Sequence, residues 1–477
     1  MLDLALFLCI AAFLAAGIRR PFIWVLAYLY IDILSPQKIG WSLTQALPVS
    51  LIAFCAAFGG WLLTDPKRGS RFTFRQFLLL ALLAYCAITT ANADFPVDAA
   101  NKWAWVWKAM VFAIFFPLAL TTRLRIEGAA LIMLLSASAI YITAGIKTVL
   151  SGGGYGSLSL FVNDNSGLYE SSVLACMGIA IIPLILWFTR HGTVFAPDWR
   201  VKLFGYALIF ACLLVPVGTE ARTGLVCIGV LAVLLLRDSR RRLAFIGAAA
   251  LVATVSLPFL PTSFYDRMST LTAPSRDESA STRVAVWKWT LDYARDNPFG
   301  GGFDAFRGNK FTYELPVVKG SGNTQAYRYN RVTDEGRAYH SAYFEVLGEQ
   351  GWIGLAIWLM LQFTGLWQME CIRRRWRNRT APGEMWQAPL ASALQYAQII
   401  YLVGALFTGI AYQPLMLMIV GLQIALATLL GKAQPHPLAS GNAGGRHPAA
   451  GKQTAGARHA ALHGGQAAPA RQTGGPT

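Results

Sequence analysis

Charged residues and histidine are scarce in this chain. Only 14% of its 477 residues are charged, whereas 55% are hydrophobic and the mean hydropathy is +0.45. A soluble domain carries about a quarter charged residues. The composition therefore excludes an ordinary soluble protein and indicates an integral membrane protein.

Cysteine is missing from the longest polar segment, residues 261–340. All seven cysteines lie within or beside apolar runs, so disulfides do not staple this segment. No Cys/His spacing typical of a metal site occurs, and we expect neither a metal nor a cofactor. The first apolar run also lacks the basic region that begins a cleavable signal peptide.

Acidic residues are fewer than basic ones, and the formal net charge is +17. Such an excess can indicate nucleic-acid binding, but here it sits in short loops that alternate with neutral or mixed loops. This alternation follows the positive-inside rule of membrane proteins, so we expect membrane lipid and no nucleic acid as partners. It places 35–45, 92–102, 151–166 and 261–340 outside the cytoplasm.

The apolar segments predict an all-α polytopic membrane protein with about 12 transmembrane helices. Runs long enough to cross about 30 Å of hydrocarbon recur throughout the chain. They lie near 46–63, 74–91, 103–120, 128–150, 167–188, 202–217, 222–236, 243–260, 341–370, 389–411 and 413–431. Two shorter runs flank Arg19-Arg20-Pro21 and cross the membrane either once or twice. The total is then 12 or 13, and we favour 12 with both chain ends inside.

The chain divides into four parts on this basis. Residues 1–260 form the N-terminal transmembrane helices and 261–340 form one long external loop that contains helical segments. Residues 341–431 form the C-terminal transmembrane helices. The Gly/Ala/Pro-rich tail, 432–477, is predicted to be disordered in the cytoplasm.

An amphipathic helix is predicted within the long loop. Its apolar stripe is Val284, Trp287 and Leu291. The helix should end before Asn297-Pro298, where a glycine run, 300–302, forms a flexible turn. No strand precedes this run and no Lys-Ser/Thr follows it, so it does not match a phosphate-binding loop.

His340 is the strongest candidate for acid/base chemistry. Four of the six histidines lie in the tail and His191 falls in a cytoplasmic loop, which leaves His340 as the only histidine on the external face. It opens an apolar helix, whose positive N-terminal dipole disfavours imidazolium and keeps the ring neutral. A neutral imidazole can act as a general base. The alternative is an ordinary hydrogen-bonded histidine at the membrane interface.

External basic groups suggest an anion site. Glu220 and Arg222 form a tight connection between two apolar runs, where charges are costly unless they are paired or solvated. They form either an interfacial salt bridge or part of a site in which a guanidinium binds phosphate. Arg283 and Lys288 are external cations that could converge on the same site.

Three further residues are candidate substrate contacts. Lys108 lies among interfacial tryptophans and either snorkels or faces a cavity. Asn165 belongs to a polar run that either caps a helix or contacts substrate. Tyr339 adjoins His340.

Motifs in three segments occur in a recognisable order. They are Glu220-Ala221-Arg222-Thr223-Gly224-Leu225; Arg283, Trp287, Asn297-Pro298-Phe299-Gly300-Gly301-Gly302 and Phe306; and His340-Ser341-Ala342-Tyr343 with Leu347-Gly348-Glu349-Gln350-Gly351 and Gly354-Leu355. The ordered set resembles the O-antigen ligase/O-antigen polymerase superfamily over most of residues 1–431. The N-terminal portion, with Arg20-Pro21-Phe22 and Ser35-Pro36, is similar to the subgroup of exosortase-associated O-glycosylation ligases.

The resemblance implies a GT-C-like glycosyltransferase of the bacterial inner membrane. Such enzymes transfer a glycan from undecaprenyl pyrophosphate to an acceptor on the periplasmic face, without a required metal. For a ligase, the acceptor is a sugar hydroxyl of lipid A-core. The motif match implies that Arg222 and Arg283 bind the diphosphate and that His340 lies near the reacting hydroxyl; Glu349, Gly351 and Gly354 we interpret as helix packing.

Several alternatives use the same fold or the same membrane. An O-antigen polymerase or a protein O-oligosaccharyltransferase would share the donor and differ only in the acceptor. A transporter of polyprenyl lipid or polysaccharide would be expected to carry carboxylates in mid-span, broken helices and an internal repeat. The sequence has few mid-span carboxylates and no repeat, which favours the enzyme.

Overall fold

The protein is a bundle of long apolar helices in this computed structural model, which describes residues 2–67, 69–151, 167–238, 242, 247, 278–319, 326–381 and 383–432. The helices are α1 (Leu2–Arg19), α2 (Phe22–Leu34), α3 (Pro36–Ile39), α4 (Leu43–Ala46), α5 (Val49–Thr64), α6 (Phe74–Ala91), α7 (Pro96–Ala119), α8 (Arg123–Ser151), α9 (Ser171–His191), α10 (Trp199–Gly218), α11 (Arg222–Asp238), α12 (Glu278–Asp296), α13 (Ala342–Trp376), α14 (Gln387–Gly404) and α15 (Pro414–Lys432). Within the described residues, eight helices are long and apolar enough to cross a membrane. The predicted all-α polytopic class is confirmed, whereas the run at 243–260 and the tail lie outside the described residues.

The two N-terminal helices pack side by side as an antiparallel pair. Phe13 stacks on Tyr30 with ring centroids 5.7 Å apart, and the indole of Trp24 donates to the carbonyl of Leu14 at 2.8 Å. Pro21 interrupts the helix and reverses the chain, since it lacks the N–H that would continue the ladder. Residues 2–34 therefore pass twice through this layer of the protein. The number of membrane crossings that they make stays a prediction.

Helix α9 forms the centre of the bundle. Of its apolar window, 89% is buried inside the protein, against 17% for α1 at the periphery. Its sequence is apolar on all sides, as expected of a helix surrounded by protein. It packs against α10, α11 and α14. The first turn of α9 is consequently held in a fixed position among other helix ends.

Contacts between loops sort these loops into two groups, one at each end of the bundle. At one end Arg125 pairs with Asp65 at 2.7 Å, Arg123 donates to the carbonyl of His191 at 2.9 Å, and Arg237 pairs with Glu370 at 2.9 Å. At the other end the Tyr169 hydroxyl donates to the carbonyl of Leu34 at 2.8 Å, and the Asp94 amide donates to the carbonyl of Gly301 at 2.9 Å. The charge alternation predicts the same grouping. Which group faces the cytoplasm stays a prediction.

The long loop contains a β-hairpin that the sequence analysis did not anticipate. Strands β1 (Lys310–Lys319) and β2 (Ala326–Glu335) pair antiparallel, with Lys310 opposite Glu335. Thr312 and Thr333 share a cross-strand hydrogen bond of 3.0 Å. Aromatic and β-branched residues recur in both strands and favour extended backbone. The loop is therefore helical only in part.

The predicted loop helix exists as α12, but its buried stripe is one position away from the predicted one. The buried residues are Thr282, Val286, Thr290 and Ala294, whereas Val284 is 62% exposed. These buried residues follow an i, i+4 repeat, and two of them are threonines, which a hydrophobicity count overlooks. Thr290 keeps its hydroxyl bonded to the Val286 carbonyl at 2.8 Å. Helix α12 can thus bury a polar side chain at no hydrogen-bonding cost.

The glycine turn at 300–302 docks into a break in helix α13. The amides of Gly301 and Gly302 donate to the carbonyls of Gly348 and Glu349 at 3.0 and 2.9 Å. At the break, Gly351 has φ 62° and ψ −166°. The second and third sequence motifs are thus one packed unit. The glycines allow the backbone of the turn to approach the backbone of α13 closely. This packing role agrees with their poor match to a phosphate-binding loop.

Gly300→Ala is expected to destabilise this unit. Gly300 has φ +85°, and an added Cβ would lie 2.5 Å from the Glu349 carbonyl oxygen. A left-handed residue with a backbone clash costs more than about 1 kcal/mol. The midpoint of thermal unfolding in detergent should fall clearly. Gly308→Ala is the control, since its Cβ would lie at an ordinary 3.4 Å from Phe95; equal effects of the two changes would contradict the docking.

Candidate active site

Three helix beginnings and one helix end meet at the end of the bundle that carries the long loop. The Ala342 amide at the start of α13 donates to the Ala405 carbonyl just after α14, at 2.8 Å. Gly404 leaves room for two thiols of α9 and α11, because a Cβ there would collide with Cys176 and lie 3.2 Å from Cys227. The starts of α9, α11 and α13 are thereby brought together.

Arg222 lies at the start of α11, beside the start of α9. Gly224 in the same turn packs closely on α9, since an added Cβ would lie 2.9 Å from the Ala175 side chain. Glu170 directly precedes α9, at the flanking position of its first turn. The chain segments that carry Arg222 and Glu170 therefore lie next to each other.

His340 is held just before α13 in a left-handed conformation with φ 48°. Histidine is among the residues that tolerate this region. The Trp287 indole of α12 donates to the neighbouring Tyr339 carbonyl at 2.9 Å and stacks on Phe344, with centroids 5.0 Å apart. His340 is an exposed residue, although its surroundings desolvate the ring in part. This anchoring holds the backbone while the ring stays free to meet a substrate.

Desolvation and nearby positive charges together keep the His340 ring neutral. Partial desolvation, followed by the charges of Arg283 and Arg337, lowers the pKa of His340 below its ordinary 6.5. Arg283 lies one turn before Trp287 on α12 and therefore shares its face. The direction agrees with the predicted neutral imidazole, and desolvation contributes more to it than the two arginines do.

Arg283 also acts on Glu170. Burial raises the pKa of Glu170 to about 7; the Arg283 charge opposes this increase and the Glu345 charge adds to it. Arg283 thus links the N-terminal cap of α9 electrostatically with His340. The helix that carries Arg283 is docked on α13, so the loop contributes directly to the site.

A polar cleft of about 390 Å³ opens beside these residues. Its walls are Asn101, Lys102, Trp105, Gly167, Glu170, Val173, Asp304, Glu345, Gly409, Ile410, Tyr412 and Gln413. They come from α7, α9, α13 and the loops after α12 and α14. The volume falls in the range of about 300–1,000 Å³ that is ordinary for small-molecule sites.

Lys102 closes the floor of the cleft through a buried ion cluster. Its Nζ lies 2.7 Å from both Glu345 and Glu349 and 3.7 Å from Asp304. Glu345 also accepts from the Ala411 amide at 3.0 Å, and Glu349 from the Asp304 amide at 3.0 Å. The cluster therefore joins α7, α13, the glycine turn and the loop before α15.

Lys102→Met is expected to destabilise the protein strongly. The substitution leaves Glu345 and Glu349 without their cation, and breaking a buried ion pair costs about 3–5 kcal/mol. The midpoint of thermal unfolding should fall, and adding Glu349→Gln should restore part of it. Lys310→Met breaks an exposed pair with Glu335 and should change the midpoint little. Similar losses for both single changes would rule out the buried cluster as a structural clamp.

The remaining predicted site residues are spread over different environments. Lys288 is exposed on α12, and Glu220 is buried with φ 50°. Tyr339 is buried with its phenol against Gly348, a placement that favours packing. Lys108 is half-buried and interacts electrostatically with Asp32 on α2. Asn165 lies outside the described residues.

Sequence reasoning missed Glu170, Lys102 and Asp304 as members of the site. Lys102 and Lys108 lie in the same Trp-rich run, and the choice of Lys108 rested on its greater depth. The usable signal was Glu345 and Glu349, which are four residues apart and so share one face of a helix. Two carboxylates on one buried face predict a cation beside them, because a buried charge is costly unless it is paired.

The fold and the site together define a polytopic all-α membrane protein with a polar site at one end of its bundle. Residues 206–359 match the family model described as O-Antigen ligase, and residues 1–193 match one described as Family of unknown function (DUF5935). No curated protein sequence matches the chain. The match over residues 206–359 supports membership of the O-antigen ligase/O-antigen polymerase superfamily and a function of the ligase/polymerase type.

Proposed function

We propose that this protein transfers a glycan from undecaprenyl pyrophosphate to a sugar hydroxyl of lipid A-core on the periplasmic face of the inner membrane. The observation that carries the proposal is the placement of Arg283 one turn before Trp287, whose indole donates to the Tyr339 carbonyl next to His340 at 2.9 Å. The match to the O-antigen ligase family supports the class of reaction. Arg222 and Arg283 bind the diphosphate, and Lys288 is an outlying cation on the same loop helix.

The proposed reaction is a single displacement at the anomeric carbon. The acceptor hydroxyl attacks this carbon, the bond to the diphosphate oxygen breaks, and undecaprenyl pyrophosphate leaves with the bonding electrons. The hydroxyl proton passes to the neutral imidazole of His340. Fixed arginines stabilise the charge that develops on the leaving oxygen. No nucleotide is needed, because the diphosphate ester already carries the activation.

Neutral His340 gives the reaction a defined pH dependence. Its pKa lies below 6.5, so the deprotonated form prevails at neutral pH. We expect kcat/KM to be level near pH 7 and to fall about tenfold per pH unit below the lowered pKa. Glu170→Gln tests whether the carboxyl with a pKa of about 7 contributes a second inflection. A profile that falls as pH rises from 5 to 7 would contradict the neutral base.

The acceptor separates the proposed ligase from its two closest alternatives. Purified protein should receive a lipid-linked glycan together with lipid A-core, a pilin-like protein and a second copy of the lipid-linked glycan. We expect label on lipid A-core. Label on the protein would indicate a protein O-oligosaccharyltransferase, and lengthened lipid-linked glycan would indicate a polymerase. Activity that disappears in EDTA and returns with Mg²⁺ would contradict the metal-independent mechanism.

A further inference from the structure

The polar cleft that Glu170 and Glu345 line differs in charge from the arginine-bearing loop helix. Its walls carry one lysine and three carboxylates, namely Lys102, Glu170, Asp304 and Glu345. Lys102 is already neutralised by Glu345 and by Glu349 beneath it. Asp304 therefore leaves an acidic excess in the cleft, to which Glu170 adds only in part because its pKa is about 7. This excess disfavours a diphosphate there and favours uncharged groups.

The remaining walls suit a carbohydrate ring. Asn101 and Gln413 supply amides that both donate and accept hydrogen bonds. Trp105 is 41% exposed, whereas its neighbours Trp103 and Trp107 are packed against Phe303 and Phe54. An exposed indole face beside amides and carboxylates matches a ligand with one apolar face and many hydroxyls.

We propose that this cleft binds a sugar ring of the lipid-linked glycan and selects uncharged sugars over acidic ones. The inference rests on the proposed function, and it adds a specificity that the reaction itself does not require. Arg283 lies at the boundary, since its charge acts on Glu170 in the cleft wall. The diphosphate lies on the arginine side and the first sugar on the carboxylate side.

Asp304 is the best residue at which to test this selection. It adopts a left-handed conformation with φ 59°, which asparagine tolerates as well as aspartate does. Asp304→Asn therefore removes the charge and keeps the local backbone. Asp292 offers a matched control, because it is an exposed carboxylate on the same loop that pairs with Arg295 at 2.6 Å.

The experiment compares two synthetic lipid-linked donors that differ only in a hexose or the corresponding hexuronic acid next to the diphosphate. Purified wild-type protein in nanodiscs should use the hexose donor at least about tenfold better in kcat/KM, as expected for one unfavourable like-charge contact. Asp304→Asn should narrow this ratio by severalfold, mainly through faster use of the acid donor. Asp292→Asn should keep the wild-type ratio.

Each result bears on either the inference or the reaction. Equal use of both donors by the wild type, or the same ratio in Asp304→Asn as in Asp292→Asn, would overturn the selective subsite and leave the transfer reaction intact. No transfer from either donor would overturn the proposed function and the subsite with it. If Asp304→Asn fails to accumulate, Glu170→Gln replaces it and is measured at pH 8, where Glu170 is mostly ionised. An unchanged ratio there would also overturn the subsite.

Discussion

His340→Ala is expected to abolish glycan transfer while leaving the protein in the membrane. General base catalysis contributes about 10²–10⁴-fold to a rate, so little capped lipopolysaccharide should remain in cells that carry the variant. The imidazole is exposed and lies before α13, so its removal leaves no cavity in the bundle. The loss should therefore appear in activity and not in thermal stability.

His191→Ala is the matched control for this change. His191 ends α9 in the opposite loop group, and Arg123 binds its backbone carbonyl rather than its ring. We expect normal transfer from this variant. Smooth lipopolysaccharide at the wild-type level in His340→Ala would remove this residue from the chemistry. Equal defects in both variants would show that histidine loss acts through folding.

Arg283→Gln is expected to have the second-largest effect, a loss of about 10²–10³-fold in kcat, as for removal of one fixed donor to a developing oxyanion. Binding of undecaprenyl pyrophosphate should weaken as well. Because the Arg283 charge lowers the pKa of His340, the pH profile of the variant should shift to higher pH. A purely structural role for Arg283 would not move this inflection.

Three comparisons sharpen the test of the arginines. Arg222→Gln should weaken donor binding in the same manner, because Arg222 begins α11 beside the start of α9. Arg283→Lys should restore only part of the activity, since lysine cannot offer the two parallel N–H groups of a guanidinium. Arg295→Gln removes an exposed arginine from the far end of α12 and should leave donor binding unchanged. Wild-type affinity for undecaprenyl pyrophosphate in both Arg222→Gln and Arg283→Gln would contradict the proposed anion site.

The sequence predicted the elements of this site better than their packing. Apolar run lengths predicted most of the long helices. A lone external histidine next to a helix start predicted a role for His340, which stays a prediction. Charge alternation predicted which loops meet. Each of these signals is local or statistical, so it can be read without knowing which residues are in contact in the folded protein.

What the sequence could not show depends on contacts between distant segments. The β-hairpin forms because two short strands find each other across a loop, which no helical period reports. The buried stripe of α12 includes Thr282 and Thr290 because α13 faces them. Lys102 joins the site through carboxylates more than two hundred residues away. Contacts between distant segments are difficult to predict from a single amino-acid sequence.

The most direct test of the account is glycan transfer by purified protein in nanodiscs, with wild type and His340→Ala measured side by side. The donor is a defined undecaprenyl-pyrophosphate-linked glycan, the acceptor is lipid A-core, and EDTA is present throughout. We predict that the wild type forms glycosylated lipid A-core and releases one undecaprenyl pyrophosphate for each product, and that His340→Ala forms almost none. Equal product from both proteins would contradict it.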